Sequence, residues 1–155
     1  MLVMHEGRGI TLLGFDFGLR RIGVAVGQSL TGSASPVGVV MARDGEPDWA
    51  TLQRYLKDWM PSQLVVGLPY TMDGSEQDIT QRARQFAAAL NRHFTGPIHT
   101  IDERLSSREA EMRLKALRQA GRRRITREDI DCAAACIILE SWLNTHNNSS
   151  NVAQP

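Results

Sequence analysis

The chain is expected to form a single α/β domain built on a five-stranded mixed sheet flanked by helices, and three observations lead there. Apolar, β-branched runs are separated first by short turns and later by stretches of helical periodicity, in the order β-β-β-α-β-α-β-α-α. The run QLVVGL, residues 63–68, is apolar on both faces, as expected for a strand in a parallel sheet covered by helices. The 155 residues suit one domain with a real core, and 42% hydrophobic with 23% charged residues is ordinary for a soluble globular protein.

Residues 1–9 read as a loose N-terminal segment. The stretch TLLGFDFGLRRIGVAVG then gives two strands, 10–17 and 21–26, joined by a Gly-containing turn as a hairpin. A small polar loop, 29–35, leads to a third strand over 36–41, and Asp44-Gly45-Glu46-Pro47 is a turn. Trp49, Leu52, Leu56 and Trp59 recur at helical steps over 48–60, and Pro61 ends that helix. The strand 63–68 and the loop PYTMDGS follow. A second helix over 75–94 carries Ile79, Ala83, Phe86, Leu90 and Phe94 on one stripe until Gly96-Pro97 stops it.

Residues 98–102 form a fifth strand. Ser106-Ser107-Arg108-Glu109 has the capping-box pattern and opens a third helix to about residue 120. After a basic loop, Thr126-Arg127-Glu128-Asp129 opens a last helix that turns Ile130, Ala133, Ala134, Ile137, Ile138 and Trp142 inward. The domain is thus expected over 1–144, with the polar THNNSSNVAQP, 145–155, as a disordered tail. Three turn-linked strands make an antiparallel meander. The later strands are reached through right-handed helical crossovers and are therefore parallel. The first strand is then central, with the hairpin on one side and the parallel strands on the other.

Composition excludes several classes. A net charge of +1 carries no message about partners. Cys132 and Cys136, four apart in an apolar segment, read as small buried side chains with no disulfide framework. The opening MLVMHEGRGI lacks the basic-then-apolar pattern of a signal peptide. The longest apolar run, Cys132 to Leu139, is too short to span a membrane, so a cytoplasmic location is the default.

The chemistry lies in acids at unusual places. Asp16 sits inside the first strand between Phe15 and Phe17, where a charge is costly unless it is paired or holds a metal. Asp102-Glu103 closes the fifth strand, and Asp131 stands near the start of the last, apolar helix. Parallel strands present ligands at their carboxyl ends, so these acids can converge there. Carboxylates meeting at one place repel unless a cation lies among them, and oxygen-only ligands favour Mg²⁺ or Mn²⁺. Such ions serve phosphodiester hydrolysis, one activating water and another stabilising the leaving oxygen. Each acid also has a plainer reading: Asp131 complementing the helix dipole, and Asp102 or Glu103 pairing with Arg104.

Charge distribution adds to this. Between Arg104 and Arg127 stand nine cations, including Arg104, Arg122, Arg123 and Arg124, against only Glu109 and Glu111. That is half of the chain's 18 Lys and Arg, a candidate phosphate-backbone surface whose plainer reading is a solvated helix face and loop. The segment has no aromatic residue to stack on bases, so its contacts should be to phosphate and shape.

The blocks GFDFGLRRIGVAVG, VVGLPYTMDGSE, TIDERLSSREAE and DIDCAAACIILESWL resemble the YqgF/RuvX family, Holliday-junction-resolvase-like proteins also described as pre-16S ribosomal RNA nucleases. The resemblance covers about residues 10–143. It implies an RNase H-like fold and a divalent-metal nuclease using Mg²⁺ or Mn²⁺, with catalytic and metal-holding acids at Asp16, Glu103 and Asp131. It also implies a substrate of structured precursor ribosomal RNA, trimmed at its 5′ end, with branched DNA as the rival. Arg20, Arg21, Arg104, Arg122, Arg123 and Arg124 are the expected substrate-binding cations. The turn Gly18-Leu19-Arg20-Arg21 and the all-arginine loop depart from the family's usual lysines but keep the positive charge. In better-known resolvases of this fold the second acid comes from the fourth strand. Here that strand ends Gly67-Leu68-Pro69, and Glu103 must reach across from the fifth. Two other classes compete: nucleotide binding, since the Asp-Phe-Gly hairpin also resembles that of actin-like ATPases, and a non-catalytic RNA-binding factor. The first needs a second domain that 155 residues cannot hold. Oligomeric state is left open.

Overall fold

Thr11–Asp16 (β1) and Arg21–Gln28 (β2) form the expected antiparallel hairpin, with Leu12 opposite Gly27 and Asp16 opposite Gly23. A computed structural model describes residues 9–106, 112, 113, 115, 116, 119 and 125–153. In it Ser33–Arg43 (β3) continues the meander, Gln63–Leu68 (β5) lies parallel to β1 and Ile98–Asp102 (β6) parallel to β5. The first strand is central, as the topology rules require.

The sheet has six strands rather than five. Glu46–Pro47 (β4), expected to be only part of a turn, pairs with Ala42 and Arg43 at the edge, giving the order β4-β3-β2-β1-β5-β6. Asp44 and Gly45, at φ 49° and 85°, both lie in the left-handed region, the backbone of a two-residue Asp-Gly hairpin. Pro47 is tolerated because an edge strand can spare an N–H.

Two helices cover one face. Trp49–Trp59 (α1) ends at Met60, whose φ of 46° places it in the left-handed region just before Pro61, a residue that disfavours helix in its predecessor. Asp78–Leu90 (α2) starts three residues later than expected, because Ser75 and Glu76 are used elsewhere. The Ser75 N–H donates to Thr71 Oγ1 and Asp73 Oδ1, and Glu76 bridges to Tyr70. Thr80, fully buried, accepts from the Gln77 N–H at 3.0 Å and donates to the Pro69 carbonyl, fastening α2 to the end of β5.

Arg127–Ala153 (α3) covers the other face. Its capping box is formed as expected: the Asp129 N–H donates to Thr126 Oγ1 at 3.1 Å, and the Thr126 N–H to Asp129 Oδ2 at 2.9 Å. The expected tail from Thr145 is instead a continuation of this helix to Ala153, since no Gly or Pro interrupts it before Pro155. The helix expected over 106–120 lies mostly outside the described residues, of which 112, 113, 115, 116 and 119 are helical.

Strand alternation sends side chains to two cores. Leu13, Phe15, Ile22, Val24, Leu64 and Val66 pack with Leu52, Phe86 and Leu90 of α1 and α2. Leu12, Ala25 and Val65 pack with Ala135, Ile138, Leu139 and Trp142 of α3. Cys132 and Cys136 are free and buried within this second layer, and burial pushes the Cys136 thiol up to about 12.

The α3 layer is unusually close to the sheet. A Cβ on Gly14 would lie 2.9 Å from the Leu139 Cβ, and one on Gly23 only 2.1 Å from the Asp131 carbonyl oxygen. Both contacts are nearer than atoms can approach without movement, and at Gly23 the obstacle is backbone. Gly23→Ala is therefore expected to destabilise the protein by about 3 kcal/mol, as overpacking against a rigid element does. Urea denaturation followed by far-UV circular dichroism would measure it, and a loss below about 0.5 kcal/mol, the scale of ordinary surface substitutions, would refute the close seating.

Candidate functional site

Period-two alternation places Leu12, Gly14 and Asp16 of β1 on the α3 face. Asp16 ends the strand there, opposite Gly23. Because Gly23 has no side chain, the backbone of Asp131 lies directly over it. Asp131 is the fifth residue of α3, in its second turn, beyond the first turn where the helix dipole acts. Capping falls to Thr126 and Asp129, so dipole compensation does not account for Asp131.

Glu103 opens the 3-10 turn Glu103–Ser106 after β6. It follows His99 and Ile101 in the alternation and so falls on the same face as Asp16. Gly67 of β5 pairs with Ile101, and a Cβ on it would meet Glu103 Cγ and Oε1, each at 2.9 Å. The acid thus reaches across β5 through the space that Gly67 leaves. The Glu103 carboxyl there lies within reach of Asp16 and acts to raise it.

Asp102, one residue away, takes the opposite part. Its carboxylate accepts from Arg104 Nε at 3.1 and 3.0 Å, from Arg104 Nη2 at 2.5 Å and from the Arg104 backbone N–H at 2.9 Å. Those bonds hold it below its ordinary range. Of the Asp102-Glu103 pair, only Glu103 joins the acid cluster.

Electrostatics mark the cluster. Burial, then the hydrogen bond to Glu103, then the charges of Glu103 and Asp131 hold the Asp16 carboxyl well above its ordinary 3.8. Asp16 keeps some exposed area, so it is reachable from solvent while losing most of its hydration. Burial also raises Asp131, opposed by Arg21 and, from a distance, Arg127. Arg21 Nε donates to Asp131 Oδ2 at 3.1 Å. Among the described residues no three His, Cys, Asp or Glu stand together as a preformed metal cage, and Asp131 is paired with Arg21.

The expected cations are placed unevenly. Arg20 is exposed in the hairpin turn, and Arg21 lies against Asp131. Besides Asp102, Arg104 donates to the Met72 carbonyl at 3.3 Å and stands over the Tyr70 ring at 5.6 Å, so it fastens the PYTMDGS loop beside the cluster. Asp73 in that loop is lowered to about 2, chiefly by the Thr71 hydroxyl. Arg122, Arg123 and Arg124 lie outside the described residues. Arg113, counted with the basic segment, is bonded to Glu140 at 2.5 Å, and Glu140 also accepts from the Ala34 N–H. His99 bonds Gln63 at 2.7 Å and stacks on Trp142 at 4.4 Å, a structural role.

Gly23 and Gly67 are the functional positions that sequence reasoning passed over. Their signal was available, since a glycine inside an apolar strand marks close approach. The Arg21–Asp131 pair had no such signal, being 110 residues apart in the chain.

The family model described as "RuvX: Holliday junction resolvase" matches residues 10–145. A protein of Legionella pneumophila (strain Lens) is 50% identical over 136 residues, covering 88% of this chain and 96% of its own. One of Actinobacillus succinogenes is 46% identical over 138 residues, covering 89% and 97%. Both carry the provisional name pre-16S rRNA nuclease. Among solved structures, Thermus thermophilus RuvC in complex with a Holliday junction substrate superposes with a TM-score of 0.57 at 15% identity, over 90% of this chain and 97% of that one. The yeast mitochondrial Holliday junction resolvase gives 0.53 at 10% identity, over 90% and 80%. The fold is therefore the RNase H-like fold of RuvC. Among the described residues no helix is long and apolar enough to cross a membrane.

The raised Asp16 carboxyl fixes a direction for stability. Its favourable, protonated form is fully present below the ordinary 3.8 and is lost as pH rises through the higher folded value. With divalent ions chelated, stability should fall as pH rises through that interval. Asp16→Asn should remove the fall and raise Tm near neutral pH by about 4 °C per kcal/mol regained. Differential scanning fluorimetry across pH in EDTA tests this, and a lower Tm for Asp16→Asn would contradict it.

Proposed function

The chain belongs to the RuvX family, and from that membership we propose that it is a divalent-metal-dependent nuclease that trims the 5′ end of precursor 16S ribosomal RNA. One observation carries the reading. Acids from separate elements lie on one face of the sheet, with Glu103 after β6 and Asp131 on α3 both near enough to raise the Asp16 carboxyl at the end of β1. Two of them are seated by glycines whose only evident use is to make room. A cluster assembled at such electrostatic cost is more economically explained by a ligand than by packing.

The donors fit Mg²⁺ or Mn²⁺, since all are carboxylate oxygens. Asp16, Glu103 and Asp131 would hold the ion, which when bound supplies charge for the phosphoryl oxygens and lowers the pKa of water. The protein's own contribution is placement. Asp16 is fixed by β1 at the sheet centre, Glu103 by the turn after β6, and Asp131 by the backbone seat on Gly23. Arg20 and Arg21 flank the cluster from the hairpin turn, suited to the phosphates beside the scissile bond. Arg104 acts here by holding the loop rim, while Arg122, Arg123 and Arg124 would extend the contact along the backbone of structured RNA. An RNA substrate of this kind would be met in the cytoplasm.

Resolution of a four-way DNA junction is the second reading, favoured by the family description and by the likeness to RuvC. That reaction calls for coordinated cuts on two strands and so for a symmetric dimer. Both substrates should be offered to the wild type, Asp16→Asn and Glu103→Gln with Mg²⁺ or Mn²⁺. The expected result is cleavage of the precursor RNA extension by wild type, a loss of about a hundredfold or more in each variant, and none in EDTA. Equal cleavage by wild type and Asp16→Asn would leave a non-catalytic RNA-binding factor as the better account. Cleavage confined to the junction would favour resolution.

A further inference from the structure

A cavity of about 190 Å³ opens on the α1–α2 face, between α2 and the β3–β4 hairpin, away from the acid cluster. Its apolar lining includes Phe17, Pro47, Phe86 and Ala89, and the Phe17 and Phe86 ring centroids are 5.4 Å apart. A few polar groups share the lining. Glu46 is oriented by Trp49, whose Nε1–H donates to Glu46 Oε2 at 2.8 Å, and Trp49 is stacked on His93 at 4.1 Å. Arg82 donates to the Asp44 carbonyl oxygen, which closes one side of the cavity. Gln85 lies exposed along the same α2 stripe as Arg82, Phe86 and Ala89.

The place of this cavity follows from the end of β1. Asp16 and Phe17 are consecutive, so the pleat sends the acid to the α3 face and the ring to this one. The two hairpin turns are joined, the Gly45 N–H donating to the Leu19 carbonyl at 2.9 Å and the Ala42 N–H to the Arg20 carbonyl at 2.8 Å. The cavity and the acid cluster therefore flank the turn 18–21 on its two sides, and the turn itself carries the exposed Arg20.

Size and chemistry select the occupant. The volume suits one planar ring system and is too small for a helix or a folded partner. Asp44 and Glu46 repel a bare phosphate, but a carboxylate has acceptor sites beyond the one that Trp49 uses. An exocyclic amine would satisfy them. Adenine, cytosine and guanine carry one, whereas uracil presents carbonyl oxygens instead. Single-stranded RNA is recognised in this manner, by unstacked bases laid against aromatic side chains and bonded along their edges. Resting on the nuclease reading above, we propose that this cavity is a base pocket, taking one unpaired, amine-bearing nucleobase of the RNA strand whose scissile phosphate lies at the acid cluster. The strand crosses the turn 18–21 past Arg20, and the base held by Glu46 sets which phosphate reaches the acids.

The test uses the full chain with short single-stranded oligoadenylate, oligocytidylate and oligouridylate in EDTA, so that binding is read without cleavage. Heteronuclear NMR should show the Trp49 indole N–H and the Gln85 side-chain amide shifting with the adenylate and cytidylate oligomers and not with oligouridylate. Glu46→Gln, whose amide both donates and accepts, should admit oligouridylate. Ala89→Leu, which fills the cavity, should lose these shifts with all three, and with Mg²⁺ should raise KM for the precursor RNA about tenfold while leaving kcat within about twofold. Circular dichroism establishes that each variant is folded. Absence of the shifts with every oligomer, equal shifts with oligouridylate in the wild type, its refusal by Glu46→Gln, or persistence of the shifts in Ala89→Leu would overturn the base pocket while leaving metal-dependent cleavage intact. The expected shifts in a protein that cleaves no RNA would overturn the nuclease reading and leave the pocket to an RNA-binding factor.

Discussion

Everything at the site depends on the last helix lying directly on the sheet. An ordinary helix-on-sheet layer is spaced by side chains from both partners, and its backbone cannot approach a neighbouring strand. Here Gly14 and Gly23 remove the spacer on two adjacent strands, and Leu139 and the Asp131 backbone move into the gap. That approach brings an acid of α3 beside an acid of β1. Gly67 repeats the device on the next strand for Glu103. Glycine weakens a strand by about 0.5–1 kcal/mol relative to alanine, and the fold bears that cost at the places where chemistry needs proximity.

Proximity creates an electrostatic problem that the rest of the site addresses. Packed together and partly dehydrated, the carboxyls cannot all ionise freely: Asp16 is raised by burial and by its acidic neighbours, and Asp131 by burial. Asp102, a neighbour in sequence to Glu103, is lowered because the pleat turns it to the other face and onto Arg104. The contrast between these acids is set by direction rather than by distance along the chain. Two apolar layers, one on each face, supply the stability against which this unfavourable cluster is held.

Much of this was legible in the sequence. The strand order and the central place of β1 follow from apolar periodicity and topology rules, because those signals are local and strong, whereas the preference for Glu103 over Asp102 came from the resemblance to a known family. The sixth strand was hidden in a turn whose Asp-Gly pair specifies a hairpin, so the strand beyond it is only two residues long. The start of α2 was misplaced because Ser75 and Glu76 have partners in the preceding loop, a tertiary preference that local patterns do not carry. The polar residues after Thr145 read as tail by composition, yet composition without a breaker does not end a helix. The pairing of Arg21 with Asp131 could not be read at all, since it arises only once β2 and α3 have met.

The choice between Asp102 and Glu103 shows how the site is specified. Both follow the same strand and both sit near Arg104, so spacing alone leaves either as the second acid. Alternation decides: His99 stacks on Trp142 of α3, Ile101 packs against the same layer, and the next residue in that series is Glu103. The carboxylate then needs a path over β5, and any side chain at position 67 would block it. Gly67 and Glu103 are therefore one feature in two parts, an acid on one strand and its clearance on the next. What the fold fixes is the position of the carboxylate in space, opposite Asp16.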